Sequence, residues 1–148
     1  MFFYKRNANI FYMYFKIIKI YKDYMEESLK EFELTPAEID VLTFLVNNMD
    51  KDVIASEICM HRGISKGLVS RAVNMLKDKN IIETKANLED GRSVYLKIYD
   101  EKDQIIVRVK EVNKKFQDQL MKDISREHLD LFVNVNNKLF DNIMNLEV

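Results

Sequence analysis

A chain of 148 residues that is 47% hydrophobic can bury one core and is too short for two independent domains of ordinary size. Its net charge of −1 means that any affinity for nucleic acid has to come from a local patch, and its single cysteine, Cys59, excludes an internal disulfide. Three glycines, one proline and 32% charged residues favour a mostly α protein with few linkers.

At the N-terminus, Lys5 and Arg6 precede the apolar run Ile10 to Phe15, but Lys16, Lys19 and Lys22 interrupt it and no small-residue cleavage site follows. Neither a secretory signal nor a membrane span is expected, and the stretch reads as part of a folded, cytoplasmic protein. From about Asn7 to Phe32 the apolar residues fall in two adjacent helical stripes. One holds Phe11, Tyr14, Ile18, Tyr21 and Met25, the other Ile10, Met13, Ile17, Ile20 and Tyr24. Together they make an arc wider than a surface helix of a monomer needs, so part of it should pack on something else, first of all a second copy. The alternative is a helix buried centrally in a monomer. A membrane-surface role fits less well, because the polar strip is mixed in sign.

Thr35-Pro36-Ala37-Glu38 predicts a helix start with a capping box, and Ile39, Leu42 and Val46 give the helix an inward face up to Asn47-Asn48. A short helix follows Asp52, with Ile54 and Ile58 inward and Arg62-Gly63 at its end. Ser65 opens a third helix that closes at Asn80, a residue that tolerates the left-handed conformation. Leu68, Val69, Ala72, Val73 and Leu76 are its expected buried side, leaving Lys66, Gly67, Ser70, Arg71, Asn74 and Lys77 outward.

Two short helices joined at Gly63, the second exposing small polar residues and an arginine, match a helix-turn-helix. Arg71 and Lys66 can donate to guanine or phosphate, Asn74 can pair with adenine, Ser65 or Ser70 can reach backbone or base, and Gly67 leaves room for close approach. Any amphipathic surface helix carries some charge outside, so this face alone does not establish DNA contact.

The next stretch of chain strengthens the reading. Ile82-Glu83-Thr84-Lys85 alternates, Asn87 to Gly91 is turn-forming, and Val94 to Ile98 alternates with Val94, Leu96 and Ile98 on one side. This hairpin is the only strand pattern in the chain. From His61 to Lys97, Lys and Arg outnumber Asp and Glu about two to one. Lys85 is a basic residue of the hairpin, and Arg92 is placed to enter a minor groove with Asp90 available to hold its guanidinium.

The run Ile64-Ser65-Lys66-Gly67-Leu68-Val69-Ser70-Arg71, then Leu76, then Lys79-Asn80-Ile81-Ile82-Glu83, then Glu89-Asp90-Gly91-Arg92 resembles the MarR family of winged-helix transcription regulators. The Asp-x-Arg at the wing tip is its most specific short signature. The resemblance covers nearly the whole chain and implies a homodimer that binds a palindromic operator in double-stranded DNA, usually as a repressor. In many members a small-molecule effector, held between the dimerisation and DNA-binding regions, releases the operator. The chain departs from the pattern at Asn80, where glycine is usual, at Thr84, where a basic residue is common, and at Gly91, which replaces a basic residue and thins the wing's phosphate contacts.

In the C-terminal third, Asp100 to Asp103 is expected to begin a helix with the apolar stripe Ile105, Val109, Val112, Phe116 and Leu120. Ser125 caps a last helix with Leu129, Phe132, Val133, Asn136, Phe140 and Ile143 as its stripe. These helices carry no chemistry and suit packing on the first helix and closing a dimer.

Catalysis, a cofactor and a metal are not expected. His61 and His128 lack ligand-spaced neighbours, Cys59 sits beside Ile58 and Met60 as an ordinary small thiol, and no phosphate loop or nucleophile elbow occurs. Some members of the family it resembles sense oxidants through a cysteine near the N-terminus, and with none there the resemblance implies no peroxide switch. The Tyr, Phe and Met residues of the first two helices could line an effector pocket or be plain core. The expected architecture is thus mainly α with one small β-hairpin. It is a single domain, 1–148, in which a winged helix-turn-helix, 35–99, is flanked by dimerisation helices, 1–34 and 100–148. The competing function is a winged-helix protein-interaction or ligand-sequestering dimer that binds no operator.

Overall fold

The computed structural model describes residues 9–146. Among them six helices and one two-stranded sheet occur, in the order α1 (Ile10–Ser28), α2 (Pro36–Asn47), α3 (Ala55–Arg62), α4 (Lys66–Asp78), β1 (Ile82–Ala86), β2 (Val94–Ile98), α5 (Gln104–Leu120) and α6 (Arg126–Met144). The helical, single-hairpin architecture is the one expected. The chain divides into two compact units, the first ending at Phe116 and the second beginning at Gln117.

The expected start of the first helix at Asn7 lies outside the described residues. α1 opens at Asn9, whose side-chain oxygen accepts the Tyr12 N–H at 3.0 Å. It ends at Ser28, and a 3-10 turn, Lys30–Phe32, leads to a left-handed Glu33 at φ 50°. Only its C-terminal part is deeply buried, at Met25, with Leu29 just beyond it. Tyr12, Met13, Phe15, Ile18 and Ile20 are all exposed, so α1 is not the central helix of a monomer.

That place belongs to α2. Thr35 Oγ1 accepts the Glu38 N–H, and Glu38 Oε2 accepts the Thr35 N–H at 2.8 Å, the expected capping box with Pro36 in the first turn. Every residue from Glu38 to Thr43 is buried, as is Leu45, so the middle of the helix is enclosed on all sides rather than along one stripe. α1, α3, α4 and β2 all pack against it. A polar bridge centred on the buried Asn113 fastens it to its neighbours: the Tyr21 hydroxyl donates to Asn113 Oδ1 at 3.0 Å, and Asn113 Nδ2 donates to Asn47 Oδ1 at 2.8 Å.

The turns close as their residues dictate. Glu57 Oε2 accepts the Ile54 N–H at 2.9 Å at the start of α3, and Gly63 ends it at φ 63°, where a Cβ would be strained. Ser65 Oγ accepts the Leu68 N–H at 3.2 Å, and Asn80, at φ 56°, turns the chain from α4 into β1.

β1 and β2 pair antiparallel with Thr84 opposite Leu96 and Ile82 opposite Ile98. The hairpin is not the whole of the strand structure, because the Leu96 N–H also donates to the Val53 carbonyl at 2.8 Å, tying the segment before α3 to the wing. One bridging residue has no period, so no alternation could reveal it. The alternation puts Val94 inward with Leu96 and Ile98; it is instead exposed, because the strands rise beyond the core toward their tip.

α5 begins at Gln104, later than expected. Asp100 Oδ1 accepts the Lys102 N–H at 2.9 Å and Asp103 Oδ1 accepts the Ile105 N–H at 2.7 Å, so the acidic residues hold turns and cap the helix rather than forming its first turn. Ile106, Val109 and Val112 are its buried side. In the second unit, α6 is capped by Ser125, which accepts the His128 N–H at 3.3 Å, and its Phe132, Val133, Phe140 and Ile143 are exposed. No helix of the described residues is long and apolar enough to cross a membrane.

Candidate nucleic-acid interface

α4 is held from behind by Val69, Ala72, Val73 and Leu76, all buried against the core around α2 and α3. The face this leaves outward carries Ser65, Lys66, Gly67, Ser70, Arg71 and Asn74, every one exposed. Leu68 departs from expectation. It is 45% exposed, because it sits at the margin of the buried arc and lines a cleft instead of entering the core.

The far end of α4 is fixed by an ion pair that spacing could not reveal, since its partners are 41 residues apart: Lys79 Nζ lies 2.7 Å from Glu38 Oε1. The Glu38 side chain is wholly buried. Burial pushes its carboxyl up, but the Lys79 ammonium and the Thr35 N–H and hydroxyl together outweigh that and hold it below its ordinary value. The capping acid of α2 therefore doubles as the anchor for α4.

The remaining candidates, Lys85, Asp90 and Arg92, are exposed on the hairpin. Lys85 Nζ lies 3.5 Å from Glu83 Oε1. Asp90 does not hold the Arg92 guanidinium as expected. Its carboxylate accepts the Arg92 backbone N–H at 3.1 Å and the Ser93 hydroxyl at 3.2 Å, so it shapes the loop, and Arg92 itself is exposed. Among the described residues, no hydrogen bond or ion pair joins these three to the six on α4. They form two separate exposed groups. At the wing's base, Lys97 Nζ contacts Asp52 Oδ1 and the Lys51 carbonyl, both at 2.6 Å.

A cleft of about 360 Å³ lies between α1, the start of α2 and α4, lined among others by Lys22, Pro36, Asp40, Ile64, Leu68, Arg71 and Met75. Lys22 Nζ approaches Asp40 Oδ2 at 3.3 Å at this site. None of the Tyr, Phe or Met residues of α1 and α2 lines it. Met25 is core, and Tyr21 and Tyr24 pack on the Phe116 ring with centroids 5.0 and 5.5 Å away. His61 stacks on Phe44 at 5.4 Å, Cys59 is half-buried, and no group of three or more His, Cys, Asp or Glu that could hold a metal occurs among the described residues.

A helix-turn-helix followed directly by an antiparallel hairpin defines a winged-helix protein. Residues 32–93 match the model of the MarR family. The fold is that of a MarR family transcriptional regulator from Silicibacter pomeroyi, with a TM-score of 0.79 at 15% identity over 96% of this chain and 94% of that one. It is shared with a MarR family protein from Listeria monocytogenes, solved in complex with 26mer DNA, at a TM-score of 0.73 and 17% identity over 90% of this chain and 88% of that one. A MarR regulator from Methanosarcina mazei matches at a TM-score of 0.64 and 13% identity, over 88% and 94% of the respective chains. Residues 32–93 thus match the family's model, and the chain shares its fold with these solved structures, in agreement with the elements read from Ile64 to Arg92.

Proposed function

We propose that this protein is a homodimeric, sequence-specific DNA-binding transcriptional regulator that acts in the cytoplasm as a repressor on a palindromic operator and is released by a small-molecule effector. The observation that carries the reading is the outward face of α4, with Lys66, Ser70, Arg71 and Asn74 exposed on a helix whose opposite side is buried, followed by a wing with Arg92 at its exposed tip. In this reading α4 enters the major groove, where Arg71 and Lys66 address guanine or phosphate and Asn74 addresses adenine, while Arg92 reaches the minor groove. The relative from Listeria monocytogenes, in complex with DNA, supports it by analogy.

Pairing of two copies is supported by the apolar side chains that α1 exposes at Tyr12, Met13, Phe15, Ile18 and Ile20. On this view 35–99 is the reading region and the flanking segments are the dimerisation helices. Release by an effector is supported by the cleft beneath α4: Arg71 both lines it and stands on the reading face, so a ligand bound there would engage a residue the operator also needs.

The test is a duplex titration with DNA flanking the gene at several salt concentrations. The logarithm of the affinity should fall linearly with the logarithm of the salt concentration, and Arg92→Ala should weaken binding. An affinity indifferent to salt would count against the proposal.

A further inference from the structure

The loop that carries Arg92 is internally built, and one side chain organises it. Asn87 Oδ1 accepts the Glu89 N–H at 3.0 Å, the Asp90 N–H at 3.1 Å and the Tyr95 hydroxyl at 2.9 Å, while its Nδ2 donates to Ser93 Oγ at 2.9 Å. Asp90 carries the network on to the Arg92 N–H and the Ser93 hydroxyl. A single half-buried amide therefore reaches both limbs of the loop and the strand that leaves it. Burial, and then the charges of Glu89, Asp52 and Asp90, hold the Tyr95 phenol above its ordinary value, so it remains a donor across the working pH range. The turn itself is already closed by the Ser93 N–H on the Asp90 carbonyl at 3.2 Å, so the Asn87 bonds are additional to closing it.

We propose that Asn87 is a positioning residue for DNA binding, fixing the wing tip in the conformation that offers Arg92 to the minor groove while touching no nucleotide itself. The assignment rests on the DNA-binding reading above. A loop that is loose in the free protein must lose its conformational freedom when it meets DNA, and that loss is subtracted from the affinity. A loop already ordered by Asn87 has met the cost during folding. Asp90 braces the Arg92 backbone, but Asn87 in turn holds the Asp90 N–H, and Gly91 between them supplies no side chain of its own to restrain Arg92.

The experiment is a double-mutant cycle on operator DNA with the full chain: wild type, Asn87→Ala, Arg92→Ala and both together. Asn87→Ala should weaken binding about 3- to 10-fold, the equivalent of freeing one or two side chains at an interface, and by less than about 2-fold once Arg92 is already alanine. A second readout separates positioning from general stability. Replacing A·T by G·C under the wing should penalise wild type and leave Asn87→Ala nearly indifferent. Tyr95→Phe, which removes one donor to Asn87 and leaves the loop backbone untouched, should show a smaller effect of the same kind. An equal loss in both Arg92 backgrounds, or no loss from Asn87→Ala while Arg92→Ala is impaired, would overturn the assignment. A wild-type protein that binds no fragment would overturn the DNA-binding reading and this inference with it.

Discussion

Lys79→Met removes the only cation that reaches the buried Glu38 carboxylate among the described residues, and its effect can be worked from the geometry. Breaking a fully buried pair costs about 3–5 kcal/mol and an exposed one less than about 1 kcal/mol. Here the carboxylate is wholly buried while the Lys79 side chain is 38% exposed, and Thr35 retains its own bonds to Glu38, so the loss should be about 2 kcal/mol at neutral pH. For a chain of this size that is a fall of about 4–8 °C in Tm.

The pH dependence is the sharper part. In the native protein the Glu38 carboxyl lies below its ordinary value of 4.5, so the pair's stabilisation is complete above that value and is lost as pH falls through the lowered one. Without Lys79 the upward push of burial is opposed by Thr35 alone, and the variant's carboxyl protonates at a higher pH. The gap between wild type and variant should therefore be widest at neutral pH and narrow on acidification. Urea unfolding followed by far-UV circular dichroism at pH 7 and at pH 4.5, with protein concentration held constant because subunit association would shift both curves, measures it. A gap below about 0.5 kcal/mol at pH 7, or one independent of pH, would refute the argument.

Three further outcomes rest on the geometry. Arg71→Ala and Arg92→Ala should each lower operator affinity roughly 10-fold or more, and selectivity at the contacted base pair should relax with them, as competition titrations against single-pair operator variants would register. Gly63→Ala has open space for its methyl group but must hold φ 63°, so it should destabilise the fold by about 1–2 kcal/mol in the same unfolding assay, with Gly63→Asn milder. Tyr21→Phe removes the donor at 3.0 Å from the buried Asn113 and should cost about 1–2 kcal/mol while leaving the exposed face of α4 as it is.

Most of the framework was legible because it is local. The Thr35 to Glu38 capping box, the left-handed Gly63 and Asn80, the Ser65 cap and the alternation in Val94 to Ile98 are each written within a few residues, and each forms a cap, turn or strand where its residues require one. Contacts between distant residues were not legible. The Glu38–Lys79 pair, the Tyr21–Asn113–Asn47 bridge and the pairing of Val53 with Leu96 depend on which helices the core brings together, and no periodicity encodes that. Where one residue can serve two local purposes, the pattern picked the wrong one. Asp100 holds a turn and Asp103 caps α5 instead of both lying in its first turn, Leu68 lines a cleft instead of the core, and Asp90 braces backbone instead of a guanidinium. The face of α4 was legible because an amphipathic helix with four buried positions leaves few choices for the rest.

Hydroxyl-radical footprinting of the DNA flanking the gene tests the central claim most directly. Two α4 faces, one from each copy, should protect a pair of inversely related segments about one helical turn apart, with further minor-groove protection outside them that Arg92→Ala removes. Uniform protection without position, a single unpaired segment, or a pattern that survives Arg71→Ala and Arg92→Ala together would contradict it.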